Sequence, residues 1–424
     1  MRSELFILAC SDKVTLHDRL NKMAHFLQRV QGRDLHTVIR NTAHAIKQDS
    51  FKFAAVARDI EHLSSQLVGF GLGKKRPDIF VTDPTKIAGK LLWAFPGFGM
   101  VSMHSGHQLL HSEPVFADIF NECAAHIEHY FGQDNTQAFW DLNENNATAM
   151  LVQLRLFALQ AALSALWKHW GVEPDGVIGH SFGEIAAAYT AGAINLKTAI
   201  YIVGTRSQLL DSIRSQGGMV SIDCSQKELN LTIPELPSNV CIAAENSQKN
   251  FILSGDTKPL RDLEELLADA GIRSQWLVDT AGHSHQVAPL RNKLEAALHN
   301  LVPQAPQVPF YSTVTGGLMD EELTDAKYWG KNMCQPVLFS NAMSKAITDG
   351  FTQVLELSAQ PILLPAVVQI SRHTGAKGVT AIPSLRRGKP ERDTMLRAAA
   401  QLYVTDTNLH WNIISDPHIR NHIS

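Results

Sequence analysis

The chain alternates short apolar runs with segments whose apolar residues recur every three or four positions. ELFILAC (4–10) and FKFAAVA (51–57) read as strands. KVTLHDRLNKMAHFLQRV (13–30), DLHTVIRNTAHAIK (34–47) and RDIEHLSSQLVGF (58–70) read as helices. The Gly/Lys/Pro-rich stretch GLGKKRPDIFVTDPTK (71–86) reads as a boundary loop. KLLWAFPG (90–97) then opens a second unit as an apolar strand. LVQLRLFALQAALSALWKHWG (151–171) follows as a long helix closed by Gly171. PDGVIGH (174–180) is a short buried-type strand, with helices over 183–193 and 196–213. Strand, helix and strand in this order predict a parallel sheet with helical crossovers.

The rhythm changes over 218–281. GMVSID, SQKELNLTI, NVCIAAEN, NFILSGD, TKPLRDLEELLADAG and IRSQWLVDT give β-α-β-β-α-β, a ferredoxin-like order. The chain then returns to its main sheet through VPFYSTVTGG, FTQVLELS and GVTAIP. The tail RDTMLRAAAQLYVTDTNLHWNII reads as a helix with a strand-like end. The expected fold class is α/β: a hydrolase-like parallel-sheet core with an inserted ferredoxin-like subdomain, plus a small N-terminal α/β domain. The expected divisions are 1–90, then 91–217 and 282–384 around an inserted 218–281, and a tail over 385–424.

At 424 residues the chain is long for one core, which suggests several folding units. A net charge of -3 advertises neither nucleic acid nor an anionic membrane as partner. The five cysteines, Cys10, Cys123, Cys224, Cys241 and Cys334, are odd in number and lack CxxC spacing. That suits a reducing cytoplasm and argues against a disulfide framework or a zinc site. The apolar stretch at the N-terminus is too short for a signal peptide or a membrane span.

The chemistry centres on Gly179-His180-Ser181-Phe182-Gly183, a G-x-S-x-G run between a strand and a helix. Two glycines allow a sharp turn there, and the helix start aims free N–H groups at an oxygen beside Ser181. The alternative is a serine that caps the helix. A nucleophilic serine needs a base. His283, after a strand end and the small residues Ala281 and Gly282, is the leading candidate, with His285 its rival. His104, His107 and His111 have helical spacing, but Gly106 interrupts them and no H-E-x-x-H pattern exists, so a solvated or loop role is expected over a metal site.

Together these segments resemble the acyltransferase domain of modular polyketide synthases, a relative of the malonyl transferases of fatty acid synthesis. The resemblance covers nearly the whole chain. Residues 1–90 look like the linker domain that precedes this acyltransferase. FPGFGM is similar to the family's FPGQG. QLRLFALQAALSALWKHWGVEPDGVIGHSFGEIAAAYTAGA is similar to its nucleophile region. AAENSQKNFILSGD, FYSTVTGG, YWGKNMCQPVLF and PSLRRGKPERDTML match later landmarks in order.

The resemblance implies that Ser181 is the acylated nucleophile and His283 its base. It also implies that backbone carbonyls, and no acid, orient that histidine. The N–H groups of Phe182 and Phe98 would form an oxyanion hole. Gln153 falls at an active-site glutamine and Arg206 at a carboxylate-binding arginine. The implied donor is an acyl-CoA, the acceptor is the phosphopantetheine of an acyl carrier protein, and no cofactor is bound. Neighbouring synthase domains such as a ketosynthase would be partners, and the N-terminal unit and the tail suggest a piece of a larger synthase.

Several positions depart from the family pattern. Phe98 replaces the glutamine of FPGQG, which keeps an N–H and loses an amide. Thr280-Ala281-Gly282-His283 stands where methylmalonyl enzymes have YASH and malonyl enzymes HAFH. Gly282 removes bulk that would press on a 2-substituent, and Thr280 adds a hydroxyl. Phe182 is malonyl-like. The expectation is a 2-substituted malonyl unit, with malonyl itself close behind. Cys334 and Gln360 also depart, with peripheral consequences expected. Nothing in the sequence accounts for Arg155.

Two rival readings use the same segments. A serine esterase or editing hydrolase would want an acid between Ser181 and His283, where Asp223, Asp256 and Asp279 lie. A non-catalytic docking scaffold would need none of Ser181, His283 and Arg206. The transferase reading requires Arg206 to reach the cleft of Ser181, within about 10 Å, the span of a short acyl group.

Overall fold

The computed structural model describes residues 2–29, 34–43, 50–84, 89–98, 104–143, 145–319 and 324–416. The N-terminal unit is a three-stranded antiparallel sheet of β1 (Glu4–Cys10), β2 (Phe51–Ala57) and β3 (Ile79–Val81), in that order. Helices Lys13–Arg29, Leu35–Ala43 and Ile60–Gly71 accompany it, and Leu16, Leu20, Leu63 and Leu67 close its core. Residues 44–47 of the expected second helix lie outside the described residues. The stretch expected to be all boundary loop contains β3. Three apolar residues carry little sequence signal, but pairing Val81 with Phe53 and Ile79 with Ala55 satisfies backbone groups that a loop would leave to water.

The main sheet begins with β4 (Lys90–Phe95) and β5 (Gly176–Gly179), which pair in parallel. Every residue of β5 is buried, as expected for a strand covered on both faces. Between them runs helix Ala149–His169, capped by Thr148, whose side chain accepts from Leu151 N–H. It is long and apolar enough to cross a membrane, but most of it is buried here, its Phe157 and Trp167 lying in the main core with Phe120, Ile185 and Val203 of other elements. Arg155 on this helix is 2% exposed. Its guanidinium donates to the Phe139 carbonyl at 2.9 Å and lies 4.8 Å and 5.2 Å from the ring centroids of Phe120 and Phe139. Arg155 thus ties helix Gln133–Trp140 to the core helix.

The inserted subdomain comprises β6 (Gly217–Asp223), β7 (Val240–Ser247), β8 (Asn250–Asp256) and β9 (Arg273–Val278). Its antiparallel order, β7-β8-β6-β9, is that of a ferredoxin-like sheet, with helices Gln226–Thr232 and Thr257–Asp269 as crossovers. Edge strand β7 meets the main body at Val337. Glu245 N–H donates to the Val337 carbonyl and Val337 N–H to the Ala243 carbonyl, both at 2.9 Å.

The main sheet is completed by β10 (Phe310–Ser312), β11 (Gly317–Leu318), β12 (Phe351–Glu356) and β13 (Thr380–Pro383), in the order β11-β10-β5-β4-β12-β13. All neighbours are parallel except β11. β4 and β5 sit at its centre, where a parallel α/β sheet presents its site beyond the carboxyl ends of the strands.

Helix Glu391–Tyr403 returns to the N-terminal sheet. Arg392, 7% exposed, pairs with Glu113 and donates to the carbonyls of Ser3 and Ile414. Arg397 donates to Asp78 at 2.7 Å. The expected strand-like end is a helix, Trp411–Ser415. The N–H groups of Ile413 and Ile414 bond back to the His410 carbonyl, and both side chains are buried.

Candidate active site

Strand β5 ends at Gly179 and strand β4 at Phe95, and the two ends lie side by side. His180 N–H donates to the Phe95 carbonyl at 2.8 Å, so the chain must turn at once into helix Gly183–Thr190. Ser181 sits at the turn with φ +52°, a left-handed conformation unusual for a residue with a side chain. Both flanking glycines are steric requirements. A Cβ on Gly179 would overlap the backbone of Glu184, and one on Gly183 would overlap the Phe95 carbonyl.

The side chain of Ser181 does not cap the helix. Its Oγ lies 2.6 Å from Nε2 of His283, which is also left-handed, at φ +59°. The opposite nitrogen, Nδ1, lies 2.7 Å from the Gln335 carbonyl. A carbonyl only accepts, so Nδ1 carries the proton and Nε2 presents a lone pair to the serine hydroxyl. Burial and the nearby Arg206 cation pull the imidazole down from 6.5 to about 3, so the ring is held neutral. Its rival His285 is half-exposed and faces Asp256 at 3.3 Å.

Arg206, on helix Leu196–Asp211, is 3% exposed. One Nη lies 3.4 Å from Ser181 Oγ and the other 3.4 Å from Gln153 Oε1. The Ser207 hydroxyl lies 2.6 Å from the same Gln153 oxygen and 2.6 Å from the Val203 carbonyl, with one proton shared between the two acceptors. Among the described residues no carboxylate pairs with Arg206, and its Nε has no partner. Burial lowers the guanidinium to about 10, so it stays cationic at neutral pH. Its carbon lies 5.8 Å from the centroid of the Phe182 ring.

The turn Pro96-Gly97-Phe98 lies against the elbow. A Cβ on Gly97 would overlap the His180 carbonyl and lie 3.0 Å from the Phe182 nitrogen. The Phe98 ring meets the His180 ring edge-on at 5.9 Å. Thr280 is half-buried, and its carbonyl accepts from Gly282 N–H at 3.0 Å. A Cβ on Gly282 would meet only Met219 Sδ, at 3.6 Å, and φ there is not positive. Glycine at this position therefore leaves space and serves no conformational need.

Ser181, His283, Arg206 and Gln153 are thus joined by hydrogen bonds at one site, with Phe98, Phe182, Thr280 and Gly282 in the segments around it. The acids considered for a hydrolase do not orient His283. Asp223 pairs with Arg273, Asp256 with Asn239 and Gln286, and Asp279 with the Trp276 indole. Cys334, expected to be peripheral, lies close enough to Arg206 and Arg291 for both cations to act on its thiol, which burial nonetheless pushes up. Gln360 contributes its carbonyl to Ser358 in the loop beyond β12. His104 precedes helix His107–Ser112, where His107 and His111 touch in solvent. Among the described residues no three potential ligands gather around a metal position.

The resemblance implies a backbone carbonyl behind His283, and the structure identifies it as that of Gln335, which no side-chain pattern reveals. Two further supports have no counterpart in the sequence reading. Asn332 donates to the Ser181 carbonyl at 3.0 Å. Glu184 is a fully buried carboxylate in the first turn after the nucleophile. A charged residue in an otherwise Ala-rich buried helix was the available signal for it. The sequence pattern assigns no role to His180. It is buried, held low at about 4, and bonds Asn246 of the inserted subdomain at 2.7 Å.

A histidine held by a carbonyl beside a serine on a tight turn, at the carboxyl end of a parallel strand, is the arrangement found in α/β enzymes of the acyl-transfer class. The chain belongs to the acyl transferase domain family, which it matches over residues 92–409, and it is an acyltransferase domain of the modular polyketide synthase type. It is 34% identical over 347 residues to "Erythronolide synthase EryA2" of Saccharopolyspora erythraea, covering 78% of this chain and 9% of that protein. It is 34% identical to "Mycoketide-CoA synthase" of Mycobacterium tuberculosis, covering 76% of this chain and 8% of that one. The chain therefore spans only a small part of these relatives. Among solved structures, it superposes on the acyltransferase domain from module 8 of the salinomycin polyketide synthase with a TM-score of 0.88, 27% identity and 97% of each chain covered. For a loading acyltransferase from the avermectin modular polyketide synthase, the TM-score is 0.68 at 30% identity, over 74% of this chain and 99% of that one.

Proposed function

We propose that this domain loads a malonyl-type extender unit, preferentially a 2-substituted one, from an acyl-CoA onto Ser181. It then passes the unit to the phosphopantetheine thiol of an acyl carrier protein. The observation that carries the substrate class is the buried Arg206, 3.4 Å from the nucleophile and without a carboxylate partner among the described residues. A substrate carboxylate entering so dry a site would be costly unless a cation met it. A guanidinium meets it with two parallel charge-assisted hydrogen bonds, a geometry lysine does not reproduce. Gln153 orients one side of that fork.

In the proposed first half-reaction His283 Nε2 takes the Ser181 proton as Oγ bonds the thioester carbon. The carbonyl electron pair moves onto oxygen, where the N–H groups of Phe182 and Phe98 receive it, each worth about 3 kcal/mol in such sites. Collapse breaks the C–S bond, and the proton on His283 goes to the departing CoA sulfur. The second half-reaction repeats these steps, with the carrier thiol giving its proton to His283 and displacing Ser181. Arg206 holds the acyl group so that its carbonyl faces the incoming thiol. The space beside Gly282 and Met219 supports a 2-substituent. The proposed setting is a cytoplasmic synthase with neighbouring domains such as a ketosynthase, which five free cysteines suit.

Intact-mass measurement after exposure to malonyl-, methylmalonyl-, ethylmalonyl- and acetyl-CoA tests the reading. Mass gain at Ser181 with the dicarboxylic donors, transferred onward when a carrier is added, is expected. Equal labelling by acetyl-CoA would overturn the substrate class. Rapid turnover to free acid without an acceptor would favour a hydrolase.

A further inference from the structure

Ser181 and His283 come from distant parts of the chain, yet one short helix supports both. Helix Ala326–Cys334 carries Asn332, whose Nδ2 donates to the Ser181 carbonyl at 3.0 Å. Directly after that helix comes Gln335, whose carbonyl accepts from His283 Nδ1 at 2.7 Å. Nucleophile and base are thus referred to two points three residues apart on one rigid element. What holds that helix against the elbow is Glu184. One carboxylate oxygen accepts from the Thr313 N–H and hydroxyl, at 2.5 Å and 2.9 Å. The other accepts from Tyr328 OH at 2.7 Å and Asn332 Nδ2 at 2.8 Å.

Burial raises the Glu184 carboxyl, and the donors of Tyr328, Thr313 and Asn332 oppose that rise. Every partner in this set can serve as a donor, which is the complement an ionised carboxylate needs when buried. Ser312 completes the polarity. Its oxygen accepts from Val314 and Thr315 N–H, leaving its own proton for Tyr328 and the Tyr328 proton for Glu184. Glu184 also closes a ring on the nucleophile, because its backbone N–H donates to the same Ser181 carbonyl at 3.0 Å. A buried ion is a weak way to add stability but a strong way to specify one geometry. Here the geometry specified is the left-handed turn that aims Ser181 at His283.

We propose that Glu184 and Asn332 are positioning residues that act as one unit to set the Ser181–His283 separation, through the helix that also supplies the Gln335 carbonyl. Neither touches substrate. The inference needs only a competent serine–histidine pair, so it stands apart from the choice of acyl donor.

The test measures the rate at which a fluorophosphonate probe labels Ser181, a readout of nucleophile activation that needs no acyl-CoA. It is followed in wild type, Glu184→Gln, Asn332→Ala and the double variant, with melting temperatures alongside. Glu184→Gln keeps size but turns an NH2 toward two donors. Each single variant is expected to slow labelling about tenfold or more, and the double to be no slower than the worse single, as for residues that act as a unit. With malonyl-CoA, the same variants should lower kcat and leave KM within about twofold. Wild-type labelling by a folded Asn332→Ala, or losses that multiply in the double, would overturn the proposal. If Glu184→Gln fails to fold, Tyr328→Phe replaces it, since it removes one donor and leaves the carboxylate in place. Slower labelling with unchanged KM is again expected, and unchanged labelling in both Tyr328→Phe and Asn332→Ala counts against the proposal. Loss of malonyl loading with normal probe labelling in wild type would indict the substrate reading alone.

Discussion

The imidazole of His283 is oriented by the main-chain carbonyl of Gln335, 2.7 Å from Nδ1. A neutral carbonyl selects the tautomer as a carboxylate would, but adds no negative charge to stabilise an imidazolium. Burial first, and then the cationic Arg206, keep the base weak and neutral, only partly opposed by the Gln335 contact. Because the contact is main-chain, Gln335→Ala should acylate within about threefold of wild type, as should Asp256→Ala and Asp279→Ala. His283→Ala should lose about 1,000-fold or more, the scale of removing a general base from an activated serine. Single-turnover acylation followed by mass spectrometry checks both.

Arg206→Ala should reduce malonyl loading by about 100-fold or more, since two charge-assisted bonds contribute roughly 1.5–3 kcal/mol each. Acetyl loading should fall far less, so the ratio of the two products on Ser181 is the diagnostic. Arg206→Lys should recover little, for want of the planar fork. Competition between malonyl-CoA and acetyl-CoA in one reaction reads the ratio directly.

The position of His283 also sets a pH response. Its folded value of about 3 lies below its ordinary 6.5, so Nε2 is already free at neutral pH and remains free on mild acidification. Acylation by folded enzyme should be flat from pH 8 to about pH 5, where a free histidine would have lost activity through 6.5. A midpoint near 6.5 in single-turnover rates would contradict this.

Stability should respond where acylation does not. His180 and His283 titrate in the folded chain at about 4 and about 3, below the 6.5 of an unfolded histidine. Below pH 6.5 the unfolded chain takes up protons that the native chain refuses, so stability drops as pH falls toward 4. Glu356 acts oppositely. Burial raises it to about 7 from 4.5, so the native state holds a proton there that the unfolded state releases, and this offsets part of the loss above pH 4.5. His180→Gln should flatten the acid side of the melting-temperature profile measured by scanning calorimetry.

At Gly282 there is room for a Cβ beside Met219, so Gly282→Ala should fold normally. Gly282→Phe should fill the space, leave malonyl loading within about threefold, and depress ethylmalonyl loading about tenfold or more, the scale of steric exclusion from a packed site. A loading assay with paired donors measures the switch.

Arg155 gives a prediction about the fold alone. Replacing it with Ala removes a buried hydrogen bond and the stacking on Phe120 and Phe139, and should destabilise the domain by roughly 2–4 kcal/mol. Denaturant unfolding measures the loss, and acylation by the folded fraction should be unchanged.

Local pattern was enough for much of this protein. Runs of buried apolar residues marked β4 and β5, and the alternation of short strands and helices over 218–281 marked the ferredoxin-like insert. The glycines around Ser181 announced the elbow through a five-residue pattern, although only the Gly179 constraint is local, against Glu184, while the Gly183 constraint comes from Phe95 on the neighbouring strand. Resemblance along the chain then named His283, Arg206 and Gln153. The tertiary structure decided what depends on distant contacts. A three-residue strand at Ile79–Val81 exists because β2 offers it partners, and Trp411–Ser415 is a helix packed on the N-terminal unit. Arg155 acquires a role only when Phe120 and Phe139 surround it. The resemblance implied a carbonyl behind His283, but its assignment to Gln335 needed the fold because a carbonyl has no letter of its own, and Glu184 with Asn332 explains itself only when the donors around the buried carboxylate are in place. The sequence settled which groups could do chemistry, through short-range sterics and residue type. Packing settled which groups hold them at reacting distance, through hydrogen bonds between segments more than a hundred residues apart.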